Sequence, residues 1–329
     1  MPHFSAIRLF VMTLCLLWVS GSIASASEPE LRKATFLPQW VHQAQFAGFL
    51  VGFEKGFYRD HGIDLTILPG GPDQPPSEFL PQGRADFSTM FLSTAIERRS
   101  QGLDVVNIGQ IVQRSSLMLV ARSSKYIYSP VDLNGRKISL WNEFQIQPLA
   151  LFKKYDLDVE IVPQGVTMNP FLKGGVDVAS AMLYNEYHLL LNAGVNENEL
   201  TTIAFDDYGL NFPEDGIYCM RKTLEKNPEL CRDFILASRK GWEYAFAHPE
   251  EALDIVMQYV ADANLATNRV HQKWMLERMK DIIHPKKNDV PFGTLPKKEY
   301  LRVARVLRDF GMISTIPPFK EFFINVSEK

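Results

Sequence analysis

A twelve-residue phrase occurs twice in this chain in altered form, and it limits the fold more than any other feature. FLPQGRADFSTM at 79–90 returns as FLKGGVDVASAM at 171–182. Each copy reads as an apolar helix end, a glycine, an acidic residue and a short strand opening onto small residues. Aligned without a gap, the copies match at Phe79/Phe171, Leu80/Leu172, Gly83/Gly175 and Met90/Met182, while Asp86 and Asp177 fall one position out of step. Chance similarity between periodic segments is the competing account. A true echo predicts two α/β lobes, with ligand chemistry where the strands end in small residues.

Residues 1–26 stand apart from the fold. Arg8 precedes the apolar run LFVMTLCLLWVS, and Ala24 and Ala26 occupy the positions a signal peptidase prefers. The run is short for a bilayer span, and Leu14 precedes Cys15 where a lipid anchor needs a small residue. The expectation is a signal peptide cleaved after Ala26 and a soluble, monomeric protein in the periplasm. The formal charge of −3 and the scattered basic residues argue against a nucleic-acid partner. Cys219 and Cys231 remain after processing. In an oxidising compartment they are able to bond, and the plainer reading is two buried thiols.

Strands alternate with helices along most of the remaining chain, so the fold class is α/β with parallel-rich sheets. Lobe one is expected over 27–122 and lobe two over 123–216. The chain should then return to lobe one over 217–329 with a series of C-terminal helices. Crossings are expected near Ala121–Ser124 and Asp215–Met220, forming a hinge around an interlobe ligand cleft. Gly48 and Gly52 weaken the helix predicted over 44–55 and point to close backbone approach there.

Enzyme signatures are missing. The sequence has no GxxxxGK[ST], no GxGxxG after a strand, no HExxH and no CxxC. Histidines 42, 61, 188, 248, 271 and 284 lack metal-site spacing, so neither a metal nor a cofactor is expected. Aromatic and amide residues instead gather at predicted strand-to-helix junctions: Trp40, Gln43, Gln45 and Phe46; Phe91 and Ser93; Trp141, Asn142, Phe144 and Gln145; Tyr184, Asn185, Glu186 and His188. In parallel sheets these junctions share the carboxyl edge and converge on one cleft. A flat ring would stack there, with amides and a carboxylate reading its nitrogens and oxygens. The plainer readings are Trp40 as a core seal and Glu186 as a solvent-facing helix residue. Trp242 and Trp274, at helical apolar spacing, read as core.

The segments LPQWVHQAQFAGFLVGFEKGFYRDHGIDLTIL, SPVDLNGRKISLW, NEYHLLLNAG, DYGLNFPEDGIYC and PELCRDFILASRKGWEYAFAHPEEAL, with the GRADF and GGVDV units, carry a family resemblance. Together they resemble the solute-binding proteins similar to the fungal thiamine-pyrimidine synthase, a superfamily of pyrimidine, alkanesulfonate and nitrate-type binders serving ABC importers. The resemblance implies a type II periplasmic-binding fold, a small-molecule ligand and a membrane permease as partner. It also places an aromatic residue of the first loop, here Trp40, against a flat heterocycle. The synthases of this superfamily carry a histidine where this chain has Phe46, and a cysteine-rich segment that it lacks. The expectation is therefore a binding protein for a thiamine-related pyrimidine or similar nitrogen heterocycle, not an enzyme. The alternatives are an alkanesulfonate or other small-anion binder, which Arg114 would favour if it faced the cleft, and a pyrimidine-synthesising enzyme.

Overall fold

The computed structural model describes residues 30–285 and 290–327; the expected signal peptide lies outside them. Ten strands form two five-stranded sheets. In chain order they are β1 Arg32–Leu37, β2 Ile63–Ile67, β3 Phe87–Phe91, β4 Val105–Gln110, β5 Leu117–Arg122, β6 Lys137–Leu140, β7 Glu160–Pro163, β8 Val178–Met182, β9 Leu200–Ala204 and β10 Asp215–Met220. The first sheet has the order β2-β1-β3-β10-β4 and the second β7-β6-β8-β5-β9. The two lobes therefore share one topology. In each, four strands run the same way and the fourth in spatial order runs against them: β10 between β3 and β4, and β5 between β8 and β9.

This topology corrects the expected first crossing. SLMLVAR follows β4 after a short break and reads as its continuation in lobe one. As β5 it pairs with β8 and β9 of the second sheet, so the chain crosses over 111–116 and not at 121–124. The second crossing is corrected as well: Asp215–Met220, expected to cross, is β10 and already pairs with β3 and β4, so the chain returns to the first sheet before Asp215. β5 and β10 are each the first strand after a crossing. Both enter from the cleft side, which is why they run antiparallel to their neighbours.

The sequence echo is real in structure but shifted by one residue. Gly83 (φ 70°) and Gly174 (φ 74°) both adopt the left-handed conformation that ends a helix, where a side chain is strained. Arg84 N donates to Phe79 O at 3.0 Å, and Gly175 N to Pro170 O at 2.7 Å. The partner of Gly83 is thus Gly174 and not Gly175, and this register brings the aspartates into step. Asp86 Oδ2 accepts from Thr35 N at 2.8 Å, and Asp177 Oδ2 from Lys137 N at 3.1 Å. Each aspartate clamps the central strand of its lobe to the strand beside it.

The helix Pro228–Ala247 crosses Ala47–Glu54 at paired glycines. A Cβ on Gly241 would stand 2.0 Å from Gly48 O, so the close approach expected from Gly48 is enforced by contact. Trp242 packs in this core at 1% exposure. Cys219 on β10 and Cys231 on the long helix are both buried and free, correcting the possible disulfide. The neighbouring Cys231 thiol, and then burial, push the Cys219 thiol well above its ordinary value, which leaves little thiolate to react. No helix among the described residues is long and apolar enough to cross a membrane.

Candidate functional site

The carboxyl edges of β1, β3, β6 and β8 face one another across the space between the sheets. Trp40 lies just past β1, Phe91 ends β3, Trp141 follows β6, and Tyr184, Asn185 and Glu186 follow β8. These residues line one small chamber with Gln43, Gln45, Phe144 and Met182. The Trp40 ring stands 6.0 Å from Trp141 and 5.8 Å from Phe144, both edge-to-face, and Phe144 lies 4.8 Å from Phe91. These separations fall in the range of favourable aromatic pairs. Trp141 Nε1 donates to Gly165 O at 3.0 Å, which fixes that indole in the second lobe.

The chamber is contracted to about 20 Å³, room for about one water. A molecule larger than water has no room in it as it stands. Two grooves flank it, of about 760 Å³ and about 340 Å³, with Trp40, Val41 and Val166 common to both.

Its polar groups form a satisfied amide–carboxylate network. Asp215, the first residue of β10, accepts from Gln39 Nε2 on one oxygen and from Gln45 Nε2 at 2.9 Å on the other. Gln43 Nε2 donates to Gln45 Oε1 at 2.8 Å. Opposite, Glu186 accepts from Met182 N at 3.0 Å and Asn185 Nδ2 at 2.7 Å. Asn185 Oδ1 bonds His271 Nε2 at 2.9 Å, and His271 Nδ1 faces His188 Nδ1 at 2.8 Å. This chain joins the second lobe to the helix Arg269–Ile283, which is anchored on the first lobe where Gln272 Oε1 accepts from Ala44 N at 2.7 Å. Burial raises Glu186 and Asp215 to about 7, and burial, with His188 beside it, lowers His271 to about 4.

The crossing segments meet beside this network. Glu214 Oε1 accepts from Ser116 N at 2.5 Å and Ser115 Oγ at 3.0 Å, tying one crossing to the other. Its Oε2 is buried without a partner among the described residues. Burial first, and the charge of Asp215 second, raise Glu214 to about 8.

Not every expected residue reaches the chamber. Phe46 is fully buried in the lobe-one core, because the short 3₁₀ turn Ala44–Phe46 gives the chamber to Gln45 and turns the next side chain inward. Ser93, the second residue of the helix Leu92–Ser100, is buried and is not among the residues that line the chamber. Gln145 lines a different groove with Thr94 and Arg98. Arg114 pairs with Asp206 at the surface, so it does not enter the chamber. Met182, Gln39, Glu214, Asp215 and His271 were missed. The adjacent acids of the FPEDG segment, immediately before an apolar strand, were the available signal.

A family model described as NMT1/THI5 like matches residues 43–252, and the chain belongs to that family. It is 25% identical to the riboflavin-binding protein RibY of Chloroflexus aurantiacus over 92% of this chain and 88% of that protein. It is 23% identical to the formylaminopyrimidine-binding protein of Halalkalibacterium halodurans over 80% of this chain and 81% of that one. Other relatives are named 4-amino-5-hydroxymethyl-2-methylpyrimidine phosphate synthases; that of Legionella pneumophila is 23% identical over 69% of this chain and 73% of its own length. In fold, the alkanesulfonate-binding protein SsuA of Xanthomonas axonopodis pv. citri, bound to MOPS, superposes with TM-score 0.65 at 13% identity over 88% of this chain and 96% of that one. The architecture is that of periplasmic binding proteins.

Proposed function

We propose that this chain is the solute-binding component of an ABC importer. In this reading it captures a planar nitrogen heterocycle, a thiamine-related pyrimidine or a ring of that kind, between its lobes. The observation that carries the reading is the meeting of aromatic rings from both lobes, Trp40 and Phe91 against Trp141 and Phe144, beside amides and Glu186. Trp40 covers one face of the ring, Trp141 or Tyr184 limits the other, and Gln43, Gln45, Asn185 and Glu186 read its edge. The relatives named for binding riboflavin and a formylaminopyrimidine support a nitrogen-rich ring.

The protein acts after export and removal of residues 1–26, as a monomer in the periplasm. Ligand binds between open lobes, the two crossings bend, and the closed form docks on a permease. Binding energy shifts a conformational population and does not lower a chemical barrier. The relatives named as synthases are the competing class. Phe46 favours binding over synthesis: the synthases carry an imidazole at this position, whereas here an apolar ring is sealed in the core.

A thermal-shift screen of the mature protein against pyrimidines, thiamine, riboflavin, purines, sulfonates and nitrate tests the reading. A ligand confined to the native state raises its apparent stability, by about 2.7 kcal/mol at a hundredfold excess over Kd. Stabilisation by a heterocycle is expected. A response confined to sulfonates or nitrate overturns the ligand class, and conversion of a bound ring to product overturns the non-enzymatic role.

A further inference from the structure

The chamber has acids and amides but no base to balance them. Two buried carboxyls, Glu186 in the chamber wall and Asp215 behind Gln45, are held by N–H donors alone among the described residues: Glu186 by Met182 N and Asn185, Asp215 by Gln39 and Gln45. Glu214 stands next to Asp215 with one buried oxygen unpartnered among the described residues. Among the described residues no Lys or Arg lines the chamber or either groove beside Trp40; the larger groove adds Asp73, Glu78 and Glu143, the last paired with Arg98 at 3.5 Å. Leu92 N, at the start of the helix Leu92–Ser100, where an anion would dock, already donates to Glu214 O at 3.2 Å. Phosphate and sulfonate need charge-assisted donors in a dry site, and the described lining of the chamber offers only neutral amides and a carboxyl.

We infer that the chamber is a charge filter that admits its heterocycle only in phosphate-free, neutral or cationic form and excludes phosphate esters and sulfonates. This rests on the cleft-binding reading above and narrows its ligand class. Burial holds Glu186 and Asp215 near 7 and Glu214 near 8, so a cationic ring would draw them toward the ionised form. The other titratable groups facing this cluster are Tyr184, whose hydroxyl burial first and their charges second push up, and His271 through Asn185. The filter also fixes the step before capture. A phosphorylated precursor outside the cell must first be hydrolysed, water cleaving the P–O bond to give inorganic phosphate and the free alcohol.

Matched pairs measured by calorimetry at pH 7.5 test this: riboflavin with riboflavin 5′-phosphate, thiamine with thiamine monophosphate, and 4-amino-5-hydroxymethyl-2-methylpyrimidine with its phosphate ester. In every pair that binds, the phosphate form is expected to bind at least a hundredfold more weakly. Glu186→Gln and Asp215→Asn should each narrow that ratio by at least threefold, and the wild-type ratios stand even where a variant fails to fold. A phosphate form within threefold of its partner, or a ratio unmoved in both folded variants, overturns the filter while leaving the binding role intact. Silence from all six compounds, with a response to sulfonate or nitrate in the wider screen, overturns the filter and the heterocycle reading together.

Discussion

Replacing Glu214 with glutamine should flatten the protein's loss of stability at alkaline pH. The wild-type carboxyl sits between the two crossings, fully buried, with Oε1 bonded to Ser115 and Ser116 and Oε2 without a partner. Burial and Asp215 raise it from 4.5 to about 8. A raised value means that the folded form holds the proton more tightly than the unfolded chain. The resulting stabilisation is complete below 4.5 and is lost as pH climbs through about 8. At 1.36 kcal/mol per pH unit, the interval corresponds to about 5 kcal/mol, of which about 4 kcal/mol is lost between pH 5 and pH 9.

Glutamine keeps an acceptor for the two serines and has nothing to ionise. Thermal unfolding followed by circular dichroism at pH 5 and pH 9 is the assay. At about 2 °C per kcal/mol for a chain of this size, the wild type should lose roughly 8 °C more than Glu214→Gln between the two pH values. Equal losses in the two proteins would refute the reasoning, because they would mean that the carboxyl is no harder to ionise folded than unfolded.

Trp40→Ala should weaken a confirmed heterocycle by about 2 kcal/mol or more, near thirtyfold, with the fold retained; unchanged affinity by calorimetry would remove the stacking role. Asp86→Ala deletes an acceptor serving both Thr35 N and Thr35 Oγ1 and should cost about 2–3 kcal/mol in chemical denaturation, against near neutrality if the clamp is idle. His271, held down to about 4, contributes stability that is present above 6.5 and lost as pH falls through about 4. An NMR titration should therefore place its midpoint well below 6.5, and a midpoint at or above that value contradicts the buried contact with His188.

The aromatic half of the site was legible because a parallel strand ends at a fixed edge. Trp40, Phe91, Trp141 and Tyr184 could be placed by knowing only where each strand stops and a helix begins. Phe46, Ser93 and Gln145 were taken along by proximity in sequence, but a single turn of helix or 3₁₀ structure points neighbouring residues in different directions. The echo was legible as a pattern and misaligned as a register. The shared letters Gly83 and Gly175 outweighed the conformation that Gly83 and Gly174 share, and a string of letters carries no φ angle. SLMLVAR was assigned to the wrong lobe because strand content can be read locally, whereas strand pairing is settled by distant partners.

The acids were missed for a topological reason that also explains why they matter. In a parallel sheet the start of a strand lies far from the ligand edge, so the sequence marks Asp215–Met220 as a crossing and not as part of a site. β10 runs antiparallel, and its register sets Asp215 opposite Phe91, the last residue of β3. The first residue of the returning strand therefore lies behind Gln45 of the chamber wall, and the residue before it lies in the crossing. Gln110 Nε2 binds the carbonyls of Val112, Glu214 and Asp215, holding both crossings to the end of β4. Asp215 and the amides of Gln39 and Gln45 that hold it therefore sit directly beside the crossings. The direction of one strand thus sets a buried carboxyl next to the segments that join the two sheets.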